Sequence, residues 1–219
     1  MNVFVTGGTG YIGSRLIPEL ARRGHKIRAL VRSGSETNIP SGAEGLIGDA
    51  LRLETFASAI QPADTFVHLI GVPHPSPAKA TQFREIDLVS IQAAVTAAVN
   101  AGIQHFVYLS VAQPAPVMKV FQEVRRQGEE LIRQSGMNAT FVRPWYVLGP
   151  GHRWPLPLVP IYWLAEKLPA FHKSARRLGF VTINQMINAL AWTIENPPTG
   201  VRILGVPEIR MGRTEVALQ

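Results

Sequence analysis

The stretch Val5-Thr6-Gly7-Gly8-Thr9-Gly10-Tyr11-Ile12-Gly13 constrains this chain more than any other. It follows the apolar run Val3 to Val5. It opens a segment in which Ile12, Leu16, Ile17 and Leu20 recur at helical spacing, closed by Gly24. Gly7, Gly10 and Gly13 keep a G-x-x-G-x-x-G spacing. Glycine at such a turn permits positive φ and removes the Cβ that would block a pyrophosphate. A helix starting near Tyr11 would aim free N–H groups and its positive dipole end at those phosphates, and Gly13 would let it pack close to the strands. The plain alternative is an α/β domain with a tight first turn and no ligand.

Strand and helix patterns alternate through most of the chain. Strands are expected at Val3–Thr6, Lys26–Val31, Gly45–Gly48, Thr65–Ile70, His105–Ser110, Thr140–Arg143, Phe180–Ile183 and Arg202–Val206. Helices are expected at Tyr11–Arg23, Leu53–Ile60, Phe83–Ala101, Phe121–Ser135, Ile161–Lys167 and Asn184–Glu195. This alternation predicts an α/β fold: a doubly wound, mostly parallel Rossmann sheet with helices on both faces and a small C-terminal cap. One domain is expected over 1–219. From Pro144 to Pro169 prolines and aromatics (Trp145, Tyr146, Trp154, Tyr162, Trp163) crowd together. Residues 144–177 therefore read either as a substrate-side loop over the carboxyl edge of the sheet or as a plain packing segment.

Composition narrows the classes. Among 219 residues 46% are hydrophobic, enough for one substantial core. No run of eighteen apolar residues appears, so no transmembrane segment is expected. The first strand runs straight into the glycine turn, which predicts no leader and a cytoplasmic location. With no cysteine, disulfides, cysteine nucleophiles and thiolate metal sites are excluded. The histidines lack zinc-ligand spacing, so no metal is expected. The net charge of +7 (22 basic minus 15 acidic) concentrates in Arg22–Arg32, Lys119–Arg133 and Lys167–Arg177. No nucleic-acid motif accompanies it, so the expected partners are a dinucleotide, a small-molecule substrate and, in one reading, a protein.

The residues together resemble the atypical or extended short-chain dehydrogenase/reductases, of the NmrA-like or epimerase/dehydratase-like kind. Thr6–Gly13 resembles their T-G-x-x-G-x-x-G turn. Gly48-Asp49-Ala50 resembles the motif after the third strand whose Asp and next residue contact adenine. His68–Val72 resembles the fourth-strand end beside the adenine ribose, and Phe106–Ser110 the fifth strand. Thr140–Pro144 resembles the sixth strand, whose Arg-Pro turn borders the nicotinamide, and Val147–Gly151 the loop after it. The resemblance implies cofactor contacts at Gly7, Thr9, Gly10, Tyr11, Ile12, Gly13, Arg32, Asp49, Ala50, Leu69, Ile70, Gly71, Ser110 and Pro144.

NAD-preferring members carry an acidic residue at the end of the second strand. Here Arg32 stands 19 residues after Gly13, where a guanidinium could grip a 2′-phosphate. NADP is therefore expected over NAD, with Ser33 and Ser35 as added donors. The family's proton relay is a Tyr-x-x-x-Lys pair with a Ser or Thr and an Asn. Counting back from Glu129, the Tyr and Lys positions hold Phe121 and Arg125, the serine position Val111 and the asparagine position Asp87. Lys119 is nearby, but no tyrosine lies between Tyr108 and Tyr146. Phenylalanine has no proton to give, and arginine stays protonated, though Arg125 could still bind a ribose or anion. Tyr146 and His152, with Trp154, His74 and His172, are the remaining candidates near the cofactor. Two readings follow. One is an NADP-dependent oxidoreductase acting on a small carbonyl, enone or quinone-like ring. The other is a dinucleotide-binding redox sensor or structural subunit without turnover.

Overall fold

The computed structural model describes residues 1–151 and 176–211. Seven strands form one parallel sheet: β1 (Asn2–Thr6), β2 (Lys26–Val31), β3 (Ala43–Ile47), β4 (Thr65–His68), β5 (His105–Leu109), β6 (Asn138–Val142) and β9 (Val201–Leu204). Their order is β3-β2-β1-β4-β5-β6-β9. The chain crosses from the β3 edge to the far side of β1 between β3 and β4. That reversal opens a crevice at the carboxyl ends of β1 and β4, where ligands of open α/β sheets bind. A second, two-stranded sheet pairs β7 (Tyr146–Leu148) with β8 (Phe180–Thr182).

Side-chain alternation sorts the strands into two different cores. Val3 and Val5, Val67, Val107, Val142 and Leu204 point to one face. They pack on α1 (Gly13–Arg22) and on two later helices, Ile183–Glu195 and Val206–Met211. Phe4, Phe66, Phe106, Tyr108 and Phe141 point to the other face, against α3 (Val89–Asn100) and α4 (Lys119–Gln134). The parallel register places Phe4 beside Phe66 and Phe66 beside Phe106. Ring centroids are 5.1 Å apart in both pairs, and Tyr108 meets Phe141 edge-on at 6.4 Å. Such ring pairs add about 0.5–1.5 kcal/mol each beyond burial. A one-residue slip would turn every ring to the aliphatic face.

Several expected elements change at their ends. Leu53–Ile60 is two short 3-10 turns, Leu53–Thr55 and Ala57–Ala59, instead of an α-helix. Phe83–Ala101 divides into a π-helical stretch, Phe83–Leu88, continuing into α3, with α2 (Ala80–Gln82) before it. The π stretch turns Asp87 inward, where it is fully buried. Strand β4 ends at His68, two residues short of Ile70, as the chain leaves the sheet for the crevice. The run Arg202–Val206 stops pairing at Leu204, and Val206 starts α6 (Val206–Met211). Strand β7 was not expected, because proline-rich flanks mask it. Helix α5 (Ile183–Glu195) opens one residue early on a capping box in which Thr182 and Gln185 exchange side-chain and backbone bonds. The expected helix Ile161–Lys167 lies outside the described residues.

Two histidines are held neutral within this core. His68 sits between the Thr6 hydroxyl at 2.9 Å and the Ser90 hydroxyl at 3.4 Å. Burial, with the Arg125 charge added, pushes its pKa down to about 3. Burial and then Arg202 push His105 down to about 4. The unfolded chain takes up protons at these residues near pH 6.5, and the folded chain does not. Stability is therefore full above pH 6.5 and falls as pH drops towards those lower values, by about 1.4 kcal/mol per pH unit per group. Urea unfolding between pH 7 and 4.5 should show this decline, and His68→Gln should make it shallower by about one proton's slope.

Candidate functional site

The crevice is built on the close approach of the glycine turn to the end of β4. Gly7 has a φ of +78°, and a Cβ there would lie 2.9 Å from the Leu69 carbonyl carbon and 3.0 Å from the Ile70 nitrogen. Only glycine meets both demands. A Cβ on Gly13 would come within 2.6 Å of Gly8 Cα, so the third glycine lets α1 start against the turn. Gly8, which the motif does not single out, is also close-packed: its Cβ would meet Ile17 Cδ1 at 2.8 Å, a side-chain end that can give way where the backbone facing Gly7 and Gly13 cannot. The Gly10 N–H donates to the Gly7 carbonyl at 3.1 Å, closing the turn, and Thr9 and Gly10 are exposed.

Helix α1 begins at Gly13 instead of Tyr11, because residues up to Ile12 complete the turn. Its N-cap, Ile12, has no side-chain acceptor, and its first turn carries no acid. Among the described residues no side chain thus caps this helix end, and the cradle fits a phosphate. Arg15 donates to the Tyr11 carbonyl at 2.8 Å and lies 4.3 Å over its ring, fixing the side chain that walls the turn.

Arg32 follows the last residue of β2, exposed, with no side-chain hydrogen bond or ion pair among the described residues. The Gly48 N–H donates to the Val31 carbonyl at 2.9 Å, bringing Asp49 and Ala50 to the same edge. Asp49 is already engaged: it accepts from the Leu51 N–H at 3.0 Å, and its own N–H donates to the Thr55 hydroxyl. Arg32 and the glycine turn therefore bracket the β1 and β2 ends with donors.

The four positions matched to the proton relay form something else. Arg125 is buried and donates to Asp87 Oδ2 at 2.9 Å. Its Nη1 donates to the carbonyls of Ile70 at 3.2 Å and Leu109 at 3.0 Å. Asp87 also accepts from the Val72 N–H at 2.9 Å. One guanidinium thus ties the ends of β4 and β5 to α4 and to the π stretch. Asp87 and two main-chain carbonyls engage the terminal nitrogens of Arg125, and its Nε is buried with no hydrogen-bond partner among the described residues. Burial opposes the Arg125 charge, but Tyr108 and Asp87 outweigh it and raise its pKa. Burial pushes the Asp87 carboxyl above its ordinary range, with Arg125 pulling it back. Gly71 lies against the guanidinium, which leaves no room there for a Cβ. Phe121 covers the other side, 5.1 Å from the guanidinium carbon and 4.9 Å from the Phe83 ring. Val111 is buried.

A second ionic cluster sits one turn further along α4. Buried Glu129 accepts from the Ser110 hydroxyl at 2.6 Å, from Arg143 Nε at 2.8 Å and from Gln113 at 3.3 Å, and pairs with Arg143 Nη2 as well. Ser110, expected beside the cofactor, thus commits its hydroxyl to Glu129. Pro144 is nearby, its carbonyl accepting from the Ala112 N–H at 2.9 Å. Tyr146 stacks on Phe180 with centroids 5.2 Å apart. His152, Trp154 and His172 lie outside the described residues. Sequence reasoning missed the roles of Glu129 and Arg143. The signal was the spacing Arg125, Gly128, Glu129, Ile132, which puts two charges and a glycine on the sheet-facing side of one helix. Gly128 is part of it: its Cβ would lie 2.6 Å from the Tyr108 hydroxyl.

A family model described as NAD(P)H-binding matches residues 7–151. A ketoreductase of Stigmatella aurantiaca, named for 4-hydroxy-2-methyl-3-oxo-4-farnesyl-3,4-dihydroquinoline-1-oxide, is 28% identical over 173 residues, 68% of this chain and 51% of the relative. A ceramide reductase of Caulobacter vibrioides is 27% identical over 182 residues, 80% of this chain and 55% of the relative. The chain thus spans about half the length of these two relatives. In fold it is similar to the Bordetella bronchiseptica enzyme WbmH, solved with NAD+. The TM-score is 0.70 at 18% identity, over 93% of this chain and 75% of that one.

The buried pair makes a testable demand. Asp87→Asn leaves Arg125 buried and unpaired, and should cost about 3–5 kcal/mol in urea unfolding. Asp87→Leu combined with Arg125→Met should recover much of that loss, because the charge is removed with its partner.

Proposed function

We propose, for a chain that belongs to the NAD(P)H-binding short-chain dehydrogenase/reductase family, that it binds NADP at the crevice and reduces a small quinone-like or enone acceptor without a Tyr/Lys relay. One observation carries the reading: an uncapped glycine turn stands beside Arg32, which follows the second strand and has no side-chain partner among the described residues. In this reading Gly7, Gly10 and Gly13 leave room for the pyrophosphate, and the amides of Tyr11, Ile12 and Gly13, where the turn meets α1, face it. Arg32 takes the 2′-phosphate through charge-assisted bonds and could stack on adenine. Asp49 and Ala50 border the adenine, while Leu69, Ile70 and Gly71 border the adenine ribose. Pro144 and the backbone at Ser110 bound the nicotinamide end. The reductase names of the two relatives support reduction as the chemistry.

A bound reduced dinucleotide supplies a hydride. The chain's own residues then decide which acceptor is workable. Phe121 and Val111 carry no proton to give, and Arg125 is locked in its ion pair. A simple ketone that accepts a hydride becomes a strongly basic alkoxide and needs an acid at hand. A quinone or enone becomes a stabilised anion and can take its proton from water. The substitutions therefore favour the second kind of acceptor. The same substitutions also support a second reading, in which the dinucleotide binds without turnover and the output is a partner contact.

Calorimetric titration with NADP and NAD tests the cofactor. Arg32→Ala should weaken NADP binding about tenfold or more and leave NAD unchanged. Tighter NAD binding that Arg32→Ala does not alter would overturn the preference. A screen of reduced-cofactor oxidation should then show turnover with quinones and enones and little with simple ketones. Tight binding with no turnover on any of them would select the second reading.

A further inference from the structure

Beyond the crevice, a cavity of about 540 Å³ opens at the carboxyl ends of β5, β6 and β9. Gln113, Arg143, Arg176, Arg177, Gly205 and Glu208 are among its lining residues. Three of them are arginines and one is an acid. Neither the glycine turn nor Arg32 takes part in it, so the dinucleotide reading leaves it unexplained.

Two of the three guanidiniums are fixed before any ligand arrives. Arg143 is held by Glu129 through Nε and Nη2, with 20% of its side chain exposed. Half-buried Arg177 donates through Nε to the Pro114 carbonyl at 3.2 Å, which orients the rest of its fork. Arg176 is exposed, with no hydrogen bond or ion pair among the described residues. The one lining acid is partly spent, since Glu208 accepts from the Gly205 N–H at 2.8 Å. Counting Arg143 as neutralised by Glu129, the cavity keeps two guanidiniums against one carboxylate. The held fork of Arg177 presents spare N–H donors that match two oxygens of a carboxylate or phosphate, and the exposed Arg176 adds a second guanidinium beside it.

We propose that this cavity is an oxyanion subsite, and that the small molecule handled here carries a carboxylate or phosphate group that docks on Arg176 and Arg177. The inference rests on the reading of the neighbouring crevice as the place of reaction. Glu129 joins the two, because it touches both Ser110 at the nicotinamide end and Arg143 in the cavity wall. The acceptor would then be an acidic quinone-like or enone compound, reaching from the nicotinamide end past Gln113 to the arginines.

The test is calorimetry on the full chain saturated with NADP, titrated with inorganic phosphate, inorganic pyrophosphate and succinate, with chloride as the control. At least one oxyanion should bind saturably, and Arg176→Ala with Arg177→Ala should weaken it about tenfold or more. Dinucleotide affinity should stay unchanged in that variant. Phosphate against succinate separates the two sources of the oxyanion. Arg177→Lys, which keeps the charge and loses the fork, should give an intermediate loss. Binding that ignores both arginines, or no saturable binding beyond chloride, overturns the subsite. If NADP itself fails to bind, the crevice reading falls, and the same titration without cofactor still reads the cavity.

Discussion

The parallel register of β1, β4, β5 and β6 is the constraint on which everything else rests. Phe4, Phe66 and Phe106 lie side by side across three strands because their pairing is in step. The next residue pair along each strand is then also in step, which lines up Thr6, His68 and Tyr108 toward the carboxyl edge. Beyond that layer the strands stop and the glycine turn, Leu69 and Ser110 begin. The site is therefore an extension of the core register by two residues, and a slip in the rings would scatter it.

The carboxyl edge is finished by α4 through an uncommon choice of side chains. A helix over a sheet normally presents apolar residues at i, i+3, i+4 and i+7. Here these positions are Arg125, Gly128, Glu129 and Ile132. Only Ile132 is an ordinary core residue. Arg125 gathers the loose carbonyls of Ile70 and Leu109, and Glu129 gathers Ser110 and Arg143. Strand ends that leave a sheet carry carbonyls without ladder partners, and a buried carbonyl without a donor is costly. Arg125 answers that need, while Glu129 takes up the donors of Ser110, Gln113 and Arg143; each charge is balanced by one opposite charge. This gives a physical account of why Arg and Asp at these positions can be structural where the resembled family uses Lys and Asn chemically.

Much of this was legible in the residues. The alternation of strand and helix patterns gave the parallel sheet and most element positions, since apolar periodicity reflects burial directly. Gly7, Gly10 and Gly13 marked the turn, and their spacing alone implied close backbone packing. The ends of elements were less legible. His68 ends β4 although Leu69 and Ile70 are as apolar as any strand residue, because the crevice, not propensity, stops the pairing. The strand Tyr146–Leu148 depends on a partner at Phe180–Thr182, far along the chain, and nothing local announces it. Asp87 read as a departure from a motif; its meaning came from a residue 38 positions away.

By itself the sequence determined the fold class, the glycine turn, the guanidinium in place of a carboxylate at the end of the second strand, and the lack of a tyrosine between Tyr108 and Tyr146. These are local facts, carried by residue type and short-range period. Only the tertiary structure decided what the charged residues do. It sent Arg125 and Glu129 inward to strand-end carbonyls and hydroxyls, left Arg32 without a partner among the described residues, and gathered Arg143, Arg176 and Arg177 around one cavity. A charge takes its role from what lies within a few ångströms, and in a parallel sheet those neighbours come from distant parts of the chain.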